Sequence, residues 1–517
     1  MSRFARPACA ALFVLLACGF VPAQPQSGRA GAGLPELGGV SELTSGNERR
    51  LGDRIAASIY RDSEYLDDPV LGDYVEAIWL PLLAAARARG ELSPELNERF
   101  AWQVMLIKNR TVNAFALPGG YLGVQTGLIG VVSSADELAA VLAHELSHVT
   151  QRHIARIISK QDKQAPWMIA AILLGVLAAN KSPDAANAAI VGGQAMAVQN
   201  QLNFSRDMER EADRIGFGVM TDAGFASRGV SGMFEKLQQA SRFNDNGAFP
   251  YLRSHPLTTE RLAEAQLRGQ QQSDRPRTAA SPAQHAMMAA RARVLGEPGV
   301  DTLRDTLAQA RRVLDATAPQ DTAATAGALY GGVFSALRLR EFASARPLLA
   351  RLKSLQATDP SMGSAVRLLA IELESAAGQH EAAAAATDLS GAKTRADLLV
   401  QGRALLAAGR AAEVSDKLQS WVAVHPRDGL AWQLLAEACT RQNLTLRAIR
   451  ADAESRVAYL DYPAALDRLK AAQSLARSQR NEGSQANNHI EASIIDTRTR
   501  QVELLAREQA LEDKLDR

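Results

Sequence analysis

A chain of 517 residues is long enough for two or three domains, and 47% hydrophobic with 22% charged residues excludes a disordered or membrane-filling protein. A net charge of +2 makes no strong field, which argues against nucleic acid as a partner. Partners must therefore be read from sites.

In chain order, residues 1–23 read as an export signal peptide outside the fold. Arg3 and Arg6 form its basic start, Ala8 to Phe20 an apolar run too short for a comfortable membrane span, and Val21-Pro22-Ala23 a small-residue cleavage site. Leu15-Leu16-Ala17-Cys18 offers a second reading, a bacterial lipobox that would anchor a lipoprotein through Cys18. Cys9 and Cys18 both fall in this segment, so the mature chain keeps Cys439 and has no internal disulfide.

Residues 24–40, rich in Gly, Pro, Ala and Gln, form a flexible lead-in. From Ser41 the pattern is helical. Glu48 to Tyr60 and Leu71 to Ala86 carry apolar residues three and four apart, the second kinked or split at Pro81. Phe100 to Ile107, FAWQVMLI, predicts a strand, and NRTVNAFALPGGYLGVQ (109–125) predicts two short strands about a turn at Pro118-Gly119-Gly120. Asn113, Ala114, Phe115 and Ala116 on the first of these can offer backbone hydrogen bonds to an extended peptide.

Ser133 to His153 is predicted as one helix, opened by a capping box of Ser134 and Glu137. It carries His144, Glu145 and His148 in the order HExxH. Residues four apart share a helix face, so both imidazoles reach one metal ion, with the Glu145 carboxylate beside them to act on a water. His153 falls off that face and reads as a surface or helix-end residue. The stretch 159–204 includes Trp167 to Ala179, thirteen apolar residues that suit either a buried helix or a hydrophobic flap in peripheral contact with a membrane. In SRDMEREADRIG, from Ser205, Glu209 and Asp213 share one helix face while Glu211 points elsewhere. Glu209 can thus be a third metal ligand, and Asp213 can accept a hydrogen bond from a ligand histidine.

These motifs together, HELSH followed about sixty residues later by E-x-x-x-D with VNAFALPGGYLGV upstream, resemble the HtpX-related zinc metallopeptidases of the gluzincin type. With export, SHP at 254–256 and a helical tail, the resemblance narrows to periplasmic proteases of the β-barrel assembly-enhancing (BepA-like) type. It implies one Zn2+ per chain held by His144, His148 and Glu209, Glu145 as general base and Asp213 behind a ligand. It further implies His255 as a regulatory fourth ligand that displaces water, and Arg261 is a candidate oxyanion stabiliser. Unfolded or misfolded proteins are the substrates it implies, and the outer-membrane barrel-assembly machinery the partner.

From about Pro282 the text is Ala- and Leu-rich and helical. Pro360 and Pro426 stand 66 residues apart, about twice a tetratricopeptide period. Arg338 to Leu352 reads as a second helix of a repeat and WQLLAEA (432–438) as the opening of a first, with Gly378, Gly402 and Gly409 at junctions. The expected class is α+β: a mainly helical zinc peptidase domain with a small sheet (41–272), then an all-α tetratricopeptide-like solenoid (282–480) and a charged helical tail (481–517). A periplasmic chaperone or assembly adaptor with a closed protease site is the alternative.

Overall fold

Local signals set most of the elements in the computed structural model. It describes residues 43–159, 205–242, 249–271, 281–296, 298–316, 321–481 and 486–515. The expected signal peptide, Cys18, the lead-in and the insertion with Trp167 to Ala179 lie outside the described residues.

Helix α1 (Ser45–Arg61) starts where the Thr44 hydroxyl accepts from the Asn47 N–H at 3.2 Å. Helix α2 (Pro69–Ala88) has Pro69 in its first turn and Asp68 as its cap. It runs through Pro81, which corrects the expected split. Ile78, Trp79, Leu82 and Leu83 are buried on both sides of Pro81, and that packing outweighs the roughly 3 kcal/mol a helical proline costs. Among the described residues α2 alone is long and apolar enough to cross a membrane, and most of it is buried in the core.

A short helix, α3 (Pro94–Arg99), leads to the sheet. Its strands are β1 (Tyr65–Leu66), β2 (Gln103–Ile107), β3 (Ala114–Leu117) and β4 (Tyr121–Gln125), in the order β1-β2-β4-β3. β2 and β4 are parallel with Gln103 opposite Tyr121, and β3 and β4 form an antiparallel hairpin with Ala114 opposite Val124. The strand expected at 100–107 is β2 and starts at Gln103 rather than Phe100, because Trp102 has a left-handed φ of 50° that ends the extended run. Gly119 and Gly120, at φ 72° and 87°, make the hairpin turn, and β3 is left at the sheet edge.

Then follow α4 (Thr126–Val131), α5 (Ala135–Thr150), α6 (His153–Ser159), α7 (Arg206–Asp222), α8 (Arg228–Arg242), α9 (Tyr251–Ser254) and α10 (Thr259–Gln271). The expected Ser133–His153 helix is therefore two, broken at Gln151 and Arg152. Gly216 lets α7 lie on α5, since a Cβ there would stand 3.0 Å from the Ala143 carbonyl oxygen. That crossing brings Glu209 to His144 and His148.

The rest is helical: α11 (Pro282–Leu295), α12 (Val300–Asp315), α13 (Thr322–Leu339), α14 (Phe342–Gln356), α15 (Gly363–Ala376), α16 (His380–Ala385), α17 (Arg395–Ala407), α18 (Ala411–Val424), α19 (Gly429–Arg441), α20 (Thr445–Ala458), α21 (Tyr462–Asn481) and α22 (Ala486–Leu515). Gly378 and Gly409, at φ 75° and 81°, end α15 and α17. Gly402 corrects its assignment as a junction: it lies inside α17, where a Cβ would stand 3.0 Å from Leu434. The stretch 338–352 likewise divides, at Arg340, whose φ of 62° ends α13 before α14 begins.

One hydrophobic cluster runs from Leu51 to Ala404, so the peptidase core continues into the helical array. Two arginines fasten the joint at the start of α2. Arg291 bonds both oxygens of Asp68, at 2.8 and 2.7 Å, both of Glu372, at 2.9 and 2.7 Å, and the Tyr330 hydroxyl at 3.1 Å. Arg395 spans Asp67, at 2.7 and 2.9 Å, and Asp428, at 3.0 and 2.9 Å. Such fork-to-carboxylate pairs fix orientation as well as proximity.

Candidate metal centre

The centre is built on α5. Its cap is the Ser134 hydroxyl, which accepts from the Glu137 N–H at 3.2 Å, while the Glu137 carboxylate takes the Ser133 N–H at 2.7 Å. The helix then passes through the core with His144, Glu145 and His148 all buried. His144 Nε2 and His148 Nε2 stand 3.0 Å apart, and Glu209 from α7 comes within 3.4 Å of the first and 3.5 Å of the second. His255, just after α9, adds its Nδ1 at 3.3 Å from His144 Nε2 and 3.0 Å from Glu209 Oε1. One candidate ligand atom from each of these four residues lies within 4.8 Å of the others.

The donor set suits a divalent metal: imidazole nitrogens and a carboxylate converge in a buried cluster, and His255 Nε2 stands 3.4 Å from Oε1 of the buried Glu145 beside it. Asp213 Oδ1 is 3.0 Å from His144 Nδ1, on the side of the ring away from the cluster. The Arg261 guanidinium is committed to acids: Nε and Nη2 bond Asp213 at 2.6 and 2.8 Å, and Nη1 lies 2.8 Å from Glu209 Oε2 and from the Pro256 carbonyl oxygen. It braces Asp213 and Glu209, and an oxyanion role would require it to leave these partners.

His153 stands at a helix end, the start of α6, but not at the surface, which corrects that half of the expectation. It is fully buried, with Nδ1 2.9 Å from His148 Nδ1 and Nε2 3.0 Å from Glu211 Oε2. The cause is the helix break: Arg152 adopts φ 52°, and its side chain is held by Glu48, at 2.9 Å, and by the Leu43 carbonyl oxygen. The only sequence trace of this was a histidine nine residues after the first. The predicted peptide edge, Asn113 to Ala116, lies on or beside β3 at the sheet edge, and the buried Asn113 Oδ1 has no hydrogen-bond partner. The Tyr251 N–H meets the Val112 carbonyl oxygen at 3.4 Å, so the segment that delivers His255 touches that edge. Its ring stacks on His255, centroids 4.5 Å apart.

Electrostatics divide the roles. Burial opposes charge on His144, but hydrogen bonds and charges from Asp213 and Glu209 prevail and hold its pKa up at about 10. Burial would raise Glu209, yet the charges and hydrogen bonds of His255 and His144 keep it well below the carboxylate range. Burial lowers His148 and raises Glu145. In the metal-free protein, the raised His144 contributes stability in full below about pH 6.5, and this is lost as pH rises through about 10. A metal needs the bare nitrogen. Loading at about pH 7.5 is therefore expected to release about one proton, with affinity climbing towards pH 10. Calorimetry in two buffers of different ionisation heat reads this directly, and a proton count of zero would refute the coupling.

A helix-borne HExxH with a glutamate from a second helix defines a metallopeptidase, and the comparisons agree. Residues 82–268 match the model of peptidase family M48. The chain is 30% identical over 435 residues to the β-barrel assembly-enhancing protease of Yersinia pestis, covering 82% of this chain and 83% of that protein. A putative β-barrel assembly-enhancing protease of Vibrio cholerae is 32% identical over 324 residues, 62% of this chain and 63%, under two thirds, of that protein. Mitochondrial metalloendopeptidase OMA1 of Arabidopsis thaliana is 32% identical over 204 residues, 39% of this chain and 38% of that protein. The chain belongs to peptidase family M48 and is of the β-barrel assembly-enhancing type within it.

Proposed function

We propose that this metallopeptidase is an exported zinc endopeptidase of the Gram-negative envelope that cleaves misfolded or stalled outer-membrane proteins. The observation that carries the reading is the facing of His144, His148 and Glu209, with Glu145 on the same helix and β3, the edge strand of the described sheet, packed against it. The names of the relatives support a role beside barrel assembly, and the helical array suits the binding of a client or of the assembly machinery.

His144, His148 and Glu209 would hold one zinc ion, which when bound polarises a scissile carbonyl and acidifies water. Glu145 takes a proton from the attacking water and returns it to the leaving amine. Its raised pKa suits both transfers. Backbone groups of Asn113 to Ala116 align an extended chain without reading its side chains, as a quality-control protease requires. Asp213 fixes the His144 ring, and Arg261 braces Asp213.

One observation favours a second reading, an assembly adaptor whose protease site rests closed. His255 stands among the ligands with Nε2 3.4 Å from Glu145 Oε1, and Glu145 is fully buried. A fourth protein ligand takes the position a water needs. The test is cleavage of an unfolded outer-membrane barrel polypeptide by the mature protein. Slow cleavage, abolished by a chelator and restored by zinc, is expected. His255→Ala should raise the rate roughly tenfold if closure is favoured by about 1.4 kcal/mol. If neither form cleaves while both hold the polypeptide soluble, the adaptor reading replaces the protease.

A further inference from the structure

We propose that His153 is a positioning residue which, together with Glu211, fixes the tautomer and ring orientation of His148 for metal binding. The inference rests on His148 being a ligand, as proposed above. On an unbroken helix a residue five places on points roughly 140° away. Here Gln151 and Arg152 interrupt the helix, and the left-handed Arg152 turns His153 back until its ring stands edge-on to His148, centroids 4.8 Å apart. A left-handed conformation is unfavourable for a residue with a side chain, because its Cβ crowds the following carbonyl. The Glu48 carboxylate and the Leu43 carbonyl hold Arg152 in it.

The direction of the hydrogen bonds follows from one requirement. His148 faces the cluster with Nε2, and a metal takes that lone pair, so its one proton sits on Nδ1. That N–H donates to His153 Nδ1, 2.9 Å away. His153 then carries its own proton on Nε2 and donates it to Glu211 Oε2 at 3.0 Å. Arg156 Nη1 stands 2.9 Å from the same oxygen and keeps the carboxylate in place. If His153 were doubly protonated, His148 would have to accept at Nδ1 and present an N–H to the metal. Glu211, outside the ligand set, thus sets which nitrogen of His148 is bare.

The two ligand histidines are supported alike, though through chains of different length. His144 is backed by Asp213, which Arg261 grips, and His148 by His153 and then Glu211, which Arg156 grips. In each chain the ring N–H ends on an anion held by an arginine. The first is direct, whereas the second passes through an imidazole.

The test is the zinc dissociation constant of the mature protein, read by competition with a chromogenic chelator, beside thermal unfolding of the metal-free forms. His153→Leu removes the acceptor and should weaken zinc by about 10- to 100-fold, while His153→Gln, whose amide can accept and donate in the same order, should stay within about threefold. Wild-type affinity in His153→Leu overturns the proposal, whatever happens to metal-free stability. Equal losses in both variants overturn it too, since ring packing would then be the cause. Should His153→Leu not fold, Glu211→Leu at the more exposed end takes its place, with about tenfold weakening expected and no change overturning. His148→Leu is the control. If it binds zinc as the wild type does, the ligand reading itself has failed, and this inference goes with it.

Discussion

Glu145→Gln is expected to lower peptide cleavage by about 10²- to 10⁴-fold while leaving metal content unchanged. The side chain keeps its volume and loses only its ability to take and return a proton. The carboxylate is fully buried and its pKa is pushed up by that burial, so a neutral amide of the same shape replaces it at little cost to the fold. Zinc analysis, thermal unfolding and single-turnover cleavage, run on wild type and variant together, separate these effects. Cleavage within tenfold of wild type would remove Glu145 from the chemistry, and a loss of zinc with the loss of cleavage would make it a ligand or a structural group.

The largest effect on stability is expected far from the metal. Arg291→Met leaves Asp68 and Glu372 facing each other without the guanidinium that bridges them, and breaking a buried pair in this way costs about 3–5 kcal/mol. Asp68 also caps α2 through the Leu71 N–H at 2.8 Å, so the loss is felt in the helix that supports the peptidase core. Denaturant unfolding of wild type and variant at one zinc concentration measures it, with a shifted midpoint as the expected sign. Asp68→Asn combined with Arg291→Met and Glu372→Leu should recover much of the loss, since removing all the charges leaves none stranded. A loss of under about 1 kcal/mol for Arg291→Met would mean that water satisfies this network.

Much of this architecture is legible in the linear chain, because it depends on residues a few places apart. The apolar period and the Ser134 cap announce α5, and four-residue spacing puts His144 and His148 on one face. Pro118-Gly119-Gly120 marks the hairpin, and the spacing of Glu209 and Asp213 selects them over Glu211 as the acids facing His144. These features require only helix and turn geometry. The tertiary structure decided what depends on distant residues or on one unusual torsion. Arg152 turns His153 inward because Glu48 and Leu43, over a hundred residues earlier, hold it there. Helix α2 survives Pro81 because its neighbours are packed on both sides, and Arg261 goes to Asp213 because α10 and α7 lie together. Gly402 lies within a helix because Leu434 comes close to it, which its neighbours in the chain do not reveal. Local periodicity determined which elements form, and long-range packing decided which side chains meet in the cluster of His144, His148, Glu209 and His255.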